Sequence, residues 1–131
     1  MRIPSCLLIA VSIFFITLIP SAMAETEINV TILYDNYVHT EGTTSDWGFA
    51  ALVEGAEKTI LFDTGTKPEV FRDNIKKLEV DLSSVDVVVI SHNHGDHTGS
   101  LEYFLGENSD VLVYLPASFP DDFFRKVEET G

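Results

Sequence analysis

Residues 85–97 read Val85-Asp86-Val87-Val88-Val89-Ile90-Ser91-His92-Asn93-His94-Gly95-Asp96-His97. The first half is a nearly continuous β-branched run, the pattern of a strand buried on both faces in a parallel sheet. The second half gathers three of the chain's four histidines into one short segment. A parallel strand needs crossover connections to reach its neighbours, and the flanking sequence supplies them. Upstream, residues 28–34 alternate apolar and polar positions, as an edge or half-buried strand does. Residues 36–46 are polar, with Gly42 and several Thr and Ser, and read as a loop. Residues 49–54 and 59–62 flank Gly55-Ala56-Glu57 and predict a hairpin. Thr66 and Glu69 have capping-box spacing, and Phe71, Ile75 and Leu78 recur at helical spacing, so 67–78 should be an amphipathic helix. Downstream come a short helix over 98–104, a strand over 111–115 and a last helix opening at Ser118. Strands alternating with helices make the fold class α/β.

The chemistry sits directly after the buried strand, in the pattern H-x-H-x-D-H. In an extended segment positions i, i+2 and i+4 point the same way, so His92, His94 and Asp96 can converge. His97 then turns toward a neighbouring point as the chain enters the next helix. Gly95 and Gly99 take up no side-chain space where the backbone must bend and approach closely. Two imidazoles on one side, and a carboxylate with an imidazole on the other, suit two adjacent divalent ions.

Composition narrows the partners. The 131 residues suit one domain or part of one. Asp plus Glu number 21 against 8 Lys plus Arg, a formal net charge of −13. Without a cluster of cations to displace counterions, the chain is not expected to bind nucleic acid or an anionic membrane surface. Residues 1–24 differ from the rest: one base, Arg2, no acid, an apolar run over 7–19, then Pro20 and Ala22-Met23-Ala24. The run is shorter than the roughly 20 residues that span a bilayer, and it ends in a small-x-small cleavage pattern. The expectation is a signal peptide over 1–24 and an exported domain over 25–131, periplasmic or extracellular, with an uncleaved membrane anchor as the alternative. Cys6, the only cysteine, lies in that leader. Thiolate ligation and disulfides are thereby excluded, and a metal must be held by His and carboxylate.

The ligand loop, with Leu61-Phe62-Asp63-Thr64-Gly65 before it, resembles the metallo-β-lactamase superfamily of metal-dependent hydrolases and relatives. The resemblance covers nearly all of residues 28–131. The strings Tyr34-Asp35-Asn36, Trp47-Gly48-Phe49 and Val80-Asp81-Leu82 are similar to a subgroup that includes dihydropterin–aminobenzene ribofuranosyl phosphate synthases. The resemblance implies an αββα sandwich, with metals at one edge between two sheets. This chain would carry its N-terminal half. His92 and His94 would hold one ion and Asp96 and His97 the other, with Asp96 also catalytic in orienting a metal-bound hydroxide. Asp63 would support a ligand by a hydrogen bond. The remaining ligands of the family (two more histidines and a bridging carboxylate) lie downstream and are expected beyond Gly131. Zinc is favoured by affinity order, up to two ions when full length, with iron and manganese compatible. The implied activity is hydrolysis of an ester, thioester, amide or phosphoester in a small-molecule substrate.

Other residues keep alternative readings. His39 is an exposed loop residue or a rim ligand. Asp110, Asp121 and Asp122 are candidate ligands by type only, and Asp121 suits the N-terminus of a helix. Trp47 and Phe49 are core aromatics or the border of a pocket, and Phe123 and Phe124 pack their helix or form a surface. Asp63-Thr64-Gly65 also fits the loop of an aspartic protease, where two carboxylates share a water. Against this, no Gly-rich flap follows, and such a protease has no use for the histidine cluster. A non-enzymatic metal-binding or interaction module is the third reading.

Overall fold

The computed structural model describes residues 27–130, so the leader expected over 1–24 lies outside the described residues. Five strands form one sheet in chain order: β1 (Asn29–Tyr34), β2 (Ala50–Glu54), β3 (Ile60–Phe62), β4 (Val87–Val89) and β5 (Leu112–Tyr114). The first three run antiparallel and the last three parallel. The connections explain the switch. A tight turn with Gly55 at φ +84° joins β2 to β3. Helix α1 (Pro68–Lys77) crosses from β3 to β4, and α2 (Gly95–Thr98) with α3 (Leu101–Glu107) crosses from β4 to β5. Helix α4 (Asp121–Thr130) follows β5. The single short helix expected over 98–104 is in fact two, α2 and α3, broken at Gly99 and Ser100.

Helix α1 starts differently from the capping-box expectation. Its N-cap is Lys67, with no side-chain cap, and Pro68 opens the helix with φ already set. The Thr66 hydroxyl donates instead to the Trp47 carbonyl, fixing the loop before β2. Glu69 in the first turn and Lys76 and Lys77 in the last suit the helix dipole. Buried Asn74 ties α1 to that loop as well. Its Nδ2 donates to the Leu33 and Thr44 carbonyls at 2.9 Å each, and its Oδ1 accepts from the Thr44 N–H at 2.8 Å.

Strand register sorts side chains onto two faces. The row Thr31–Leu52–Leu61–Val88–Val113 lies beneath Phe71 and Ile75 of α1 and Leu101, Phe104 and Leu105 of α3, and this is the core. Each large side chain buried there contributes about 1.5–3 kcal/mol. The opposite face carries two rows, Val30–Val53–Ile60–Val87–Leu112 and Ile32–Ala51–Phe62–Val89–Tyr114. Every member is apolar, yet none belongs to the core cluster. Burial of β4 on both faces is therefore only partly realised. Val88 is fully buried on the helix side, and on the opposite side Val87 is buried while Val89 remains half-buried.

Candidate metal centre

The centre is organised from β3. Past Phe62 the chain turns sharply at Asp63, whose φ of +56° lies in the left-handed region that non-glycine residues rarely adopt. Such a conformation costs on the order of 1–3 kcal/mol, and aspartate is among the residues that tolerate it best. The Asp63 N–H donates to the Val89 carbonyl at 2.9 Å, extending the β3–β4 pairing. Its carboxylate is 1% exposed. Oδ1 accepts the Ser91 N–H at 2.8 Å, and Oδ2 accepts the Ser91 hydroxyl at 2.8 Å and His97 Nδ1 at 2.7 Å. Next along, the Thr64 N–H and hydroxyl both donate to the His97 carbonyl, at 2.8 and 3.0 Å. Gly65 accepts from the Gly99 N–H at 2.9 Å. Three consecutive residues thus hold the segment 91–99 at both its start and its end.

This network assigns the imidazole protons. A carboxylate only accepts, so His97 donates from Nδ1 and turns Nε2 toward Asp96. Ser91 has one proton and gives it to Asp63. Its contact with His92 Nδ1, at 2.8 Å, must then be a bond donated by His92. Ligand atoms of His92, Asp96 and His97 lie within 4.8 Å of one another. Asp96 Oδ2 is 3.5 Å from His97 Nε2. His94 Nδ1 approaches His92 Nε2 at 3.1 Å from the exposed side of the cluster. Two rings buttressed through Nδ1, with His94 against the far nitrogen of one and a carboxylate near that of the other, are a donor set that fits a divalent ion.

Expected residues fall into this frame in different ways. His92, Asp96 and His97 converge, but not along one extended face. The chain already bends at His92 and Asn93, where the His94 N–H donates to the His92 carbonyl at 3.0 Å; His94 itself is extended, with φ and ψ of −121° and 145°, and α2 begins at Gly95. Asp96 and His97 therefore arrive from the first turn of a helix, and His94 sits at the edge of the group they form. Gly99 is required, since a Cβ there would collide with the Thr66 carbonyl oxygen, whereas a Cβ at Gly95 would meet open space. His39 bonds Asp35 Oδ2 at 3.0 Å on an exposed loop and lies outside the cluster, as do Asp110, Asp121 and Asp122. Asp63 is buried with both oxygens engaged, so it has no free carboxylate to share a water as a protease would. Ser91 and Thr64 were not singled out from the sequence. Their signal is positional, a hydroxyl directly before the histidine pattern and one directly after the aspartate.

Beside the cluster lies a depression of about 200 Å³, walled by Asn36, Trp47, Phe49, Asp96 and His97, with Asp35 at its edge. The hydrogen bond from His39, more than the backbone N–H groups of Tyr37 and Asn36, holds the Asp35 carboxyl below the usual carboxylate range.

Comparison with known proteins gives the following. The model of the metallo-beta-lactamase superfamily matches residues 48–122. The 7,8-dihydropterin-6-methyl-4-(beta-D-ribofuranosyl)-aminobenzene-5'-phosphate synthase of Methanocaldococcus jannaschii is 39% identical over 90 residues, 64% of this chain and 31% of that protein. An anaerobic nitric oxide reductase flavorubredoxin homolog of Escherichia coli O157:H7 is 33% identical over 67 residues, 50% of this chain and 16% of that protein. The crystal structure of human tRNase Z, short form, superposes with a TM-score of 0.55 at 21% identity, over 77% of this chain and 40% of that one. The match with the archaeal synthase thus spans about a third of that relative's length.

Proposed function

The chain belongs to the metallo-beta-lactamase superfamily, and from that premise we propose that it serves a metal-dependent hydrolase of small-molecule esters, thioesters, amides or phosphoesters. The observation that carries this reading is the Asp63–His97 bond of 2.7 Å, together with the Ser91 relay to His92. Both rings donate from Nδ1, and His97 Nε2 lies 3.5 Å from Asp96 Oδ2. His92, His94, Asp96 and His97 would hold the metal, which we propose to be zinc, two ions in the full-length protein. A divalent ion there would supply Lewis acidity, lowering the pKa of a water toward about 7 and polarising the oxygen under attack. Asp96, which also walls the neighbouring depression, would hold the metal and orient a water by accepting a hydrogen bond from it. Asp63 stays buried, its Oδ2 accepting from His97 Nδ1. The proposal includes export, with a mature chain starting at Glu25 and free of the membrane.

The test is metal analysis of the purified full-length protein, with assays on an ester, a thioester, an amide and a phosphodiester before and after chelation. Activity that disappears with a chelator, returns with zinc and is lost in His94→Ala supports the reading. Activity indifferent to both overturns it. The 39% identity to the archaeal synthase favours one second reading, that the same cluster serves a synthase reaction. Metal-dependent activity absent from all four hydrolytic assays, but present when a dihydropterin carrying a leaving group on its 6-methyl carbon is offered a ribofuranosyl-aminobenzene phosphate, the two parts of that synthase's named product, selects it.

A further inference from the structure

Trp47 is the chain's single tryptophan, and its indole is 68% exposed. An aromatic side chain of this size commonly buries about 150–250 Å². The exposure does not come from a loose loop. The Trp47 N–H donates to Asp46 Oδ1 at 2.7 Å, and its carbonyl accepts the Thr66 hydroxyl. The next two N–H groups are held too, Gly48 by Asn36 Oδ1 at 2.9 Å and Phe49 by the Asp96 carbonyl at 3.1 Å. The backbone carrying the indole is therefore tied to the backbone of Asp96. Together Trp47, Asn36, Phe49, Asp96 and His97 wall one depression. Tyr37 is more exposed, at 74%, but is no part of that wall, so exposure alone does not single out Trp47.

We infer that Trp47 is a stacking platform for a planar aromatic group of the substrate, displayed beside the metal cluster so that the group's reactive substituent meets Asp96 and His97. This rests on the hydrolase reading of the cluster and adds a substrate class to it: an aryl or heteroaryl ring bearing the scissile group. A ring on a rigid backbone stacks without first being ordered, which is where much of the cost of binding otherwise falls. Asn36 keeps its Nδ2 as a donor on the same wall, because its Oδ1 is engaged by Gly48.

The indole reports on itself. In the full chain, acrylamide quenching of tryptophan fluorescence should fall when phenyl phosphate or phenyl acetate is added, and should not respond to methyl phosphate or methyl acetate. Trp47→Ala should weaken the phenyl probe that binds by about 5- to 100-fold in calorimetry, the range of aromatic stacking losses. Trp47→Phe should keep most of the affinity, and Trp47→Leu, apolar but not planar, should behave like alanine. Far-UV circular dichroism checks that each variant is folded. Equal protection by phenyl and methyl probes, no protection by either phenyl probe, or unchanged affinity in Trp47→Leu overturns the inference. The quenching needs no turnover, so the two readings fail separately. Protection without hydrolysis counts against the hydrolase alone, and hydrolysis without protection counts against the platform alone.

Discussion

The two faces of the sheet are written in the same residue types and meet different surroundings. Beneath α1 and α3, Leu61, Val88, Phe71 and Phe104 are all 0% exposed. On the other side Val30, Leu112 and Tyr114, on the outer strands, are 59%, 61% and 58% exposed, while Ala51 and Val87 between them are buried, within two rows that contain no polar residue. A face evolved for water alternates with polar residues, and a contiguous apolar surface across five strands is uncommon on a free soluble protein. The first face is a finished core. The second has the chemistry of an interface between layers, suited to another apolar sheet about 10 Å away. Apolar patterning by itself thus shows what a strand is able to bury, and only the packing shows which side has been buried.

The largest test contrasts the faces directly. Phe104→Ala, under α3, should cost about 3–5 kcal/mol in urea unfolding, through lost contacts and the cavity left behind. Leu112→Ala should stay within about 0.5 kcal/mol in the same assay. Equal losses would show that the second face is covered in solution. Next in size is Asp63→Ala, which strands two Ser91 donors and His97 Nδ1. It should cost about 1–3 kcal/mol in all, since Ser91 and His97 are only half-buried and water can reach the freed donors, and weaken metal binding by roughly 10- to 100-fold. Full metal content in that variant would remove Asp63 from the centre. Smaller again, Tyr114→Lys should lower self-association in sedimentation velocity without moving the unfolding midpoint, and a shifted midpoint would mean the ring is packed.

The smallest effect lies at the sheet's end, on neither face. Asp86 Oδ2 accepts the Thr59 N–H at 2.9 Å and Oδ1 accepts Lys58 Nζ at 3.1 Å. The backbone bond first, and Lys58 second, hold its carboxyl below the usual range. A depressed carboxylate stabilises the fold above its unfolded pKa, about 3.9, and that stability disappears as pH falls through the folded value. Asp86→Asn should flatten the acid limb of stability against pH below about 4. An unchanged limb would assign it to other carboxylates, of which Asp81, held low by the Ser83 hydroxyl and N–H, is the nearest in sequence.

Much of the architecture was legible because it rests on periodicity. Alternation marked β1, β-branched runs marked β4, and the spacing of Phe71 and Ile75 marked α1. The ligand types were legible because four chemistry-bearing residues stand together after a strand. Their directions were not, since a two-residue period was extended across Gly95, where a helix begins. The Thr66–Glu69 spacing misled for a related reason. A hydroxyl has one proton, and a partner nineteen residues away, the Trp47 carbonyl, took it. The roles of Ser91, Thr64 and Asn74 depend on pairings across 28 to 41 positions, which no local pattern encodes. Trp47, beside a strand, had the appearance of core, and only its surroundings distinguish it from Phe49.

The grip of Asp63 on Ser91 and His97 also sets an order of events during folding. These bonds close loops of 28 and 34 positions, and the shorter can close only when β3 lies alongside β4 with α1 already crossing between them. Loop closure is opposed by chain entropy, which grows slowly with length but must be overcome before any distant contact forms. The rings of His92 and His97 are therefore brought together late, after the parallel pairing is complete. An ion with no affinity for the unfolded chain would act on that last step, adding about 2.7 kcal/mol of stability at a free concentration a hundred times its Kd. Metal supply and the lifetime of the folded chain would then be governed by one and the same turn.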